Sequence, residues 1–397
     1  MNTLARRRAT LGTCGVGHFL HDGFSDVLFV LFPLWTQEFG LSLTQVGLLK
    51  TAFSGVLAGF QVPAGFLAER WGERRVLVVG TAITGLAFIA LGWAGGFLAL
   101  AMVLVVAGLG SGTQHPLSAT MVSRAYEEGP RRAALGILNF TGDLGKAAIP
   151  ALIALGAGTI GWRPSVMTYG AFGMVVAIGL FVALGILGAG AAPVRTPTAE
   201  RKPRGAGWGI HHRRGFTVLS IIGIIDFAAR SAFLTFVPFL LIAKGVAVEN
   251  VGFALALVFA GGAAGKFLCG VVAERLGIIR TVVITELVTS GCILVLLVLP
   301  LDAAMYLLPL TGLALNGTSS VLYGTVPDFV TAERQARAFG LFYTLVIGAG
   351  AVSPFIFGLV SDGFGVPVTL TLVGLMVLGV LPLCWLLSRA IASVRTP

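Results

Sequence analysis

Apolar runs of roughly twenty residues, long enough to cross a ~30 Å hydrocarbon layer, recur about twelve times along this chain. They fall near 11–35, 45–68, 76–94, 97–122, 134–157, 165–188, 215–243, 250–273, 281–299, 303–326, 337–360 and 367–390. In lipid every backbone N–H and C=O needs an internal partner, so such runs become helices. The predicted fold class is all-α and polytopic, with twelve transmembrane helices. Composition agrees: the chain is 56% hydrophobic and 11% charged, against roughly 25% charged in soluble domains. It holds 55 glycines, and glycine lets membrane helices approach closely.

Basic residues sort to one side of these spans. Arg6, Arg7 and Arg8 precede the first; Arg70, Arg74 and Arg75 follow the second; Arg124, Arg131 and Arg132 join the fourth to the fifth. A central loop carries Arg195, Arg201, Lys202, Arg204, Arg213 and Arg214, whereas the other side offers little beyond Arg163 and Lys244. The positive-inside rule then puts both termini and the central loop in the cytoplasm, as in a bacterial inner-membrane protein. The net charge of +10 is accounted for by topology, so no nucleic-acid partner is expected. His18, His21, Asp22 and Asp26 interrupt the first apolar run, which reads as a retained helix rather than a signal peptide. Cys14, Cys269, Cys292 and Cys384 all lie within spans without CxxC spacing and are expected to be reduced and buried.

A duplication organises the spans. Gly65-Phe66-Leu67-Ala68-Glu69-Arg70-Trp71-Gly72 returns as Gly270-Val271-Val272-Ala273-Glu274-Arg275-Leu276-Gly277, offset by 205 positions. Pro33 aligns with Pro238, Gly136 with Gly340, and Pro150 with Pro354, so bends are expected at matching depths. The expected organisation is a six-helix bundle over 1–188, a Pro-containing cytoplasmic linker over 189–214 with a short amphipathic piece near Trp208, and a second six-helix bundle over 215–397. Fused repeats of this kind are the architecture of secondary transporters.

Twelve spans, a central loop and Gly65-x-x-Ala68-Glu69-Arg70-x-Gly72-x-Arg74-Arg75 after the second span together resemble the major facilitator superfamily. Two shorter strings resemble its fosmidomycin-resistance-type exporters: His18-Phe19-Leu20-His21-Asp22, and Gly108-Leu109-Gly110-Ser111-Gly112-Thr113-Gln114-His115-Pro116. The resemblance implies a monomeric carrier without a cofactor, in which spans one, four, seven and ten surround a central cavity. It also implies a conformational gate built from Gly65, Glu69, Arg70, Gly72, Arg74 and Arg75 with their repeat at Gly270, Glu274 and Arg275, the loop acid meeting the start of the eleventh span. Three departures stand out. The family's usual loop Asp is Glu69 here, no arginine lies between Leu104 and Gly112, and Gly142-Asp143-Leu144-Gly145-Lys146 matches the antiporter glycine motif only in part.

Ionisable groups inside spans are costly and need a partner or a purpose. Asp22, Asp143 and Asp226 all sit ~16 Å from the cytoplasmic face at 1.5 Å per residue. Asp26, Lys146 and Arg230 lie one turn further, and His115 and Lys266 approach from the other side. His18, Asp22 and Asp26 form an i,i+4 stripe; Asp226–Arg230 (i,i+4) and Asp143–Lys146 (i,i+3) are candidate ion pairs. The functional expectation is proton-coupled export of a small organic anion, zwitterion or drug-like solute by alternating access. Asp22, Asp26 or Asp143 would carry the proton, because burial disfavours a carboxylate. Lys146, Arg230 and Lys266, with His115 and Asp226, would contact the solute. The plain alternative is that these charges only neutralise one another. Glu286 and Lys50, nearer span ends, are expected to snorkel or pair at the membrane edge. A metal site among His18, His21, Asp22 and Asp26 is disfavoured, since two stripes of one helix cannot face one ion. An acyltransferase reading of His21-x4-Asp26 fails because the string lies mid-span rather than in an open cleft. An uncoupled facilitator or importer and, more remotely, a membrane sensor or enzyme are the other function classes.

Overall fold

The computed structural model describes residues 3–128, 130–191, 208–331 and 335–395. Its helices are α1 (Thr3–Asp26), α2 (Leu28–Phe39), α3 (Leu43–Trp71), α4 (Glu73–Leu91), α5 (Phe97–Ser111), α6 (Gln114–Ala125), α7 (Arg131–Ile160), α8 (Trp162–Ile186), α9 (Arg213–Ala243), α10 (Val251–Leu276), α11 (Ile278–Val298), α12 (Leu301–Thr325), α13 (Gln335–Phe364), α14 (Val366–Leu378) and α15 (Val380–Arg395). Ten helical stretches are long and apolar enough by themselves to cross a membrane. Outside those ten are α1–α2, which carries His18, Asp22 and Asp26, and α12, which carries the polar run Asn316-Gly317-Thr318-Ser319-Ser320. The protein is thus a multi-pass membrane protein of twelve helical rods. Hydropathy gave the rods but not their interruptions at Val27, Gly112–Thr113 and Gly379.

The chain groups into two units, Met1–Val194 with Val246–Ala256, and Arg195–Gly245 with Leu257–Pro397. In the first, α1 packs along α7, α4 along α8 and α5, and α3 along α5. Phe24, Phe88 and Tyr169 fill the space between α1, α4 and α8, with ring centroids 4.3–6.0 Å apart. In the second, α9 packs against α13, α14 and α15, and α11 against α12, α14 and α15. Leu219, Ile222, Val282, Phe329 and Phe342 are its fully buried centre. Large apolar side chains such as Ile186, Phe267 and Val298 remain exposed, as a lipid-facing surface requires.

The duplication reappears in the backbone. Gly40, Gly72 and Gly161 in the first unit have φ of 63°, 85° and 89°; Gly245, Gly277 and Gly365 in the second have 105°, 84° and 83°. Each pair is separated by 204 or 205 positions, and each glycine makes a sharp connection between helices. Gly72 and Gly277 even share ψ (146° and 158°). That extended, positive-φ region is closed to residues with a Cβ.

Of the expected linker, 192–207 lies outside the described residues. Its end near Trp208 is extended rather than helical. Ile210 pairs in an isolated bridge with Val330, and Thr331 N–H donates to the Gly209 carbonyl at 2.8 Å. His212 then caps α9, its Nδ1 accepting from Gly215 N–H at 2.9 Å.

Candidate functional site

In the first unit the ionisable residues of α1, α6 and α7 meet at Asp22. Lys146 Nζ lies 3.1 Å from Asp22 Oδ2, His18 Nε2 lies 3.5 Å from the same oxygen, and His115 Nε2 lies 3.5 Å from Oδ1. Lys146 also reaches Asp143 Oδ1 at 3.5 Å, as its i,i+3 spacing predicts. The His18 and His115 rings meet edge to face at 4.9 Å.

Glycine makes this approach possible. A Cβ on Gly142 would overlap Asp22 Oδ2 and the His18 ring, and one on Gly145 would overlap the Phe19 carbonyl. The string Gly142-Asp143-Leu144-Gly145-Lys146 is therefore a docking face for α1, with its charged residues placed beside Asp22. The cluster is also graded in depth. The Asp22 side chain is 4% exposed, while Lys146 is 29% and His115 40% exposed.

The other ionisable residues of α1 diverge. His21 turns away to α4 and hydrogen-bonds Thr81 Oγ1 at 2.9 Å. Because Thr81 donates to the Leu77 carbonyl at 2.8 Å, the imidazole is the donor in that bond, through Nε2–H. Asp26 stands at the end of α1, within electrostatic range of Lys50. Lys50 does not snorkel as expected: it is buried, donates to the Ser25 carbonyl at 3.1 Å and lies 4.2 Å from the Phe29 ring centre. The α1–α2 interruption gives its ammonium an acceptor inside the unit. His18, Asp22 and His115 offer three metal-type donor atoms within 4.8 Å. The Lys146 ammonium, however, already lies 3.1 Å from Asp22 Oδ2 and would repel a cation there, so the donor set fits a metal poorly.

In the second unit Arg230 does not form the expected ion pair with Asp226. Its guanidinium lies 4.0 Å over the Phe227 ring and donates to Asn316 Oδ1 at 3.3 Å and Ser319 Oγ at 3.4 Å. Asp226 instead hydrogen-bonds with Glu286 of α11. Glu286, expected at the membrane edge, is 1% exposed. Its direction was misjudged because α11 presents Thr281, Thr285, Glu286, Thr289 and Ser290 on its buried face; that helical polar stripe was the available signal. Lys266 stands half-buried on α10, its carbonyl accepting from Ser320 at 3.4 Å.

In the repeated phrase, Glu69, Arg70, Arg75, Glu274 and Arg275 are exposed. Gly65 and Gly270 would each meet nothing with an added Cβ. Arg74 N–H donates to the Gly190 carbonyl at 2.9 Å, and its guanidinium lies 5.3 Å from the Phe181 ring centre. The partner expected for Glu69 falls at 332–337, whose side chains lie outside the described residues. A neighbour that sequence reasoning missed is Glu73, buried and paired with Arg124 at 2.8 Å.

A sequence profile of the Major Facilitator Superfamily matches residues 14–309 and 219–397. The probable sulfoacetate transporter SauU of Cupriavidus necator is 27% identical over 361 residues, 85% of this chain and 83% of that protein. The fosmidomycin resistance protein of Escherichia coli is 27% identical over 157 residues, 38% of each chain. Among solved structures, a bacterial homolog of the human lysosomal transporter Spinster superposes with a TM-score of 0.82 at 18% identity, covering 99% of both chains.

Proposed function

This chain belongs to the Major Facilitator Superfamily, whose members are membrane transporters and not enzymes, and on that premise we propose that it carries a small organic anion together with a proton. The observation that carries this reading is the competition for Lys146. Asp22 and a solute carboxylate or sulfonate are alternative partners for one ammonium and for the two imidazoles beside it. Adding a proton to Asp22 discharges the resident anion and frees Lys146 and His115 for the solute. Proton and anion then favour one another's binding, and reciprocity makes the coupling equal in both directions. Positive coupling supports movement of both in one direction.

Organic anions are favoured over drug-like solutes for two reasons. The exposed members of the cluster are cation-forming, and the sulfoacetate relative is similar along most of this chain, whereas the fosmidomycin-resistance relative matches over 38%. Arg230 and Lys266 are proposed as further cationic contacts, Asp143 as the group that holds Lys146 in place when Asp22 is protonated, and Asp26 as a second acid. Glu69 and Arg70, with Glu274 and Arg275, are assigned to conformational control during alternating access. The proposed setting is a bacterial inner membrane, with both termini cytoplasmic and the protein acting as a monomer.

The test is equilibrium binding of sulfoacetate and of simple dicarboxylates to the purified protein across pH. Affinity is expected to rise as pH falls, by about tenfold for each 1.4 kcal/mol of coupling. Asp22→Asn should bind with little pH dependence, and Lys146→Gln should lose roughly ten- to hundredfold in affinity, the range of a hydrogen bond to a charged group. Affinity that falls with falling pH, while the solute keeps its charge, would contradict the proposal. It would favour exchange of solute against protons, the export reading drawn from the His18–Asp22 and Gly108–Pro116 strings.

A further inference from the structure

The repeat places two buried polar contacts at equivalent positions. His21 and Thr81 in the first unit correspond, at the same 205-residue offset, to Asp226 and Glu286 in the second. The first contact is a hydrogen bond between imidazole and hydroxyl. At the second, the chain has put two carboxyl groups in the same place, between the first and third rods of the unit.

Both groups are deeply buried, Asp226 at 4% and Glu286 at 1% exposure, and they hydrogen-bond to each other. Ionised carboxylates only accept, so a bond between two of them requires one O–H. Among the described residues, little beyond Arg230 favours a second charge. Glu286 Oε1 is buried without a hydrogen-bond partner. Thr318 of α12 touches Glu286, but its hydrogen is directed to Thr285 Oγ1 at 2.8 Å, and Thr285 donates in turn to the Thr281 carbonyl at 3.0 Å. Thr318 therefore turns an oxygen lone pair toward the acid.

The titratable groups facing the pair are few. Arg230, on α9 one turn from Asp226, acts on it from beyond ion-pair distance. Cys384 of α15 brings a thiol within range of Glu286. Alongside, α14 has no ionisable side chain, and the described part of α13 carries Tyr343 and Asp362.

We propose that Asp226 and Glu286 form a single-proton site built into the second unit, and that its proton sets the position of Arg230. With the proton present the pair carries one negative charge, and Arg230 stays with Asn316 and Ser319. When the O–H bond breaks and the proton leaves to water, two charges remain side by side in a buried site. Arg230, at i,i+4, is then drawn onto Asp226 and lost to any anion it was binding. The effect on solute rests on the anion-carrier reading above; the shared proton does not.

Infrared spectroscopy of the full-length protein in liposomes tests the site directly. At neutral pH the wild type is expected to show a protonated carboxylic-acid carbonyl stretch that shifts on [13C]glutamate labelling and in heavy water. Glu286→Gln and Asp226→Asn should each remove or displace that band, while Asp22→Asn should leave it in place. Labelling reports on the wild type itself, so a variant that fails to fold does not block the measurement. A neutral-pH spectrum without any protonated carboxyl stretch would overturn the proposal, and so would a band unchanged in both variants. If the band behaves as expected but anion binding shows no pH dependence, the proton site stands and the carrier reading fails.

Discussion

At the scale of single residues, the proposed function is concentrated where a charge could not be left alone. Asp22 is buried and has three neighbours that can donate to it, and that crowding depends on a glycine facing it. Gly142→Ala is expected to destabilise the protein by about 1–3 kcal/mol, the usual cost of overpacking. It should also weaken anion binding, because α7 must withdraw from α1 and carry Lys146 with it. A thermal melt in detergent, read beside a binding isotherm, checks both effects; an unchanged melt would mean that the close approach of the two helices is not needed. Much of this cluster was legible in the sequence, since Asp22, Asp143, Lys146 and His115 stand out against apolar surroundings. Glu286 and Lys50 were misplaced for a common reason. Counting residues from a span end gives depth but not direction, and both side chains turn into the unit to find partners. For Arg230, i,i+4 spacing named Asp226 as a partner, but the Phe227 ring and two neutral oxygens hold it instead.

At the scale of elements, the repeated phrase divides into two kinds of glycine. Gly65 and Gly270 face open space, whereas Gly72 and Gly277 hold φ near 85° between consecutive helices. Alanine at either of the latter should cost about 1–3 kcal/mol of backbone strain. Alanine at Gly65 or Gly270 should be neutral or slightly stabilising, since each lies inside a helix. Denaturation of the four variants in one detergent separates these outcomes; equal stability at all four would refute the backbone account of the duplication. The spans were legible because lipid forces backbone groups to pair within the helix. The breaks at Val27, Gly112–Thr113 and Gly379 were not. Each is a local departure inside an apolar run, and hydropathy averages over it.

At the scale of the whole molecule, the sequence carried the family and the fold, because duplication, spans and loop motif are long-range patterns. It did not distinguish the proposed joint movement of proton and anion from their exchange. The proposal for joint movement rests on which groups share Asp22, a matter of ångströms set by α1, α6 and α7 together. Proton movement accompanying solute in proteoliposomes tests the account most directly. With an inward gradient of sulfoacetate or a dicarboxylate and no imposed pH gradient, the wild type should draw protons inward with the anion, making the outside medium more alkaline. Asp22→Asn should exchange solute without that signal. Acidification of the outside medium, or solute entry with no proton movement in the wild type, would contradict it.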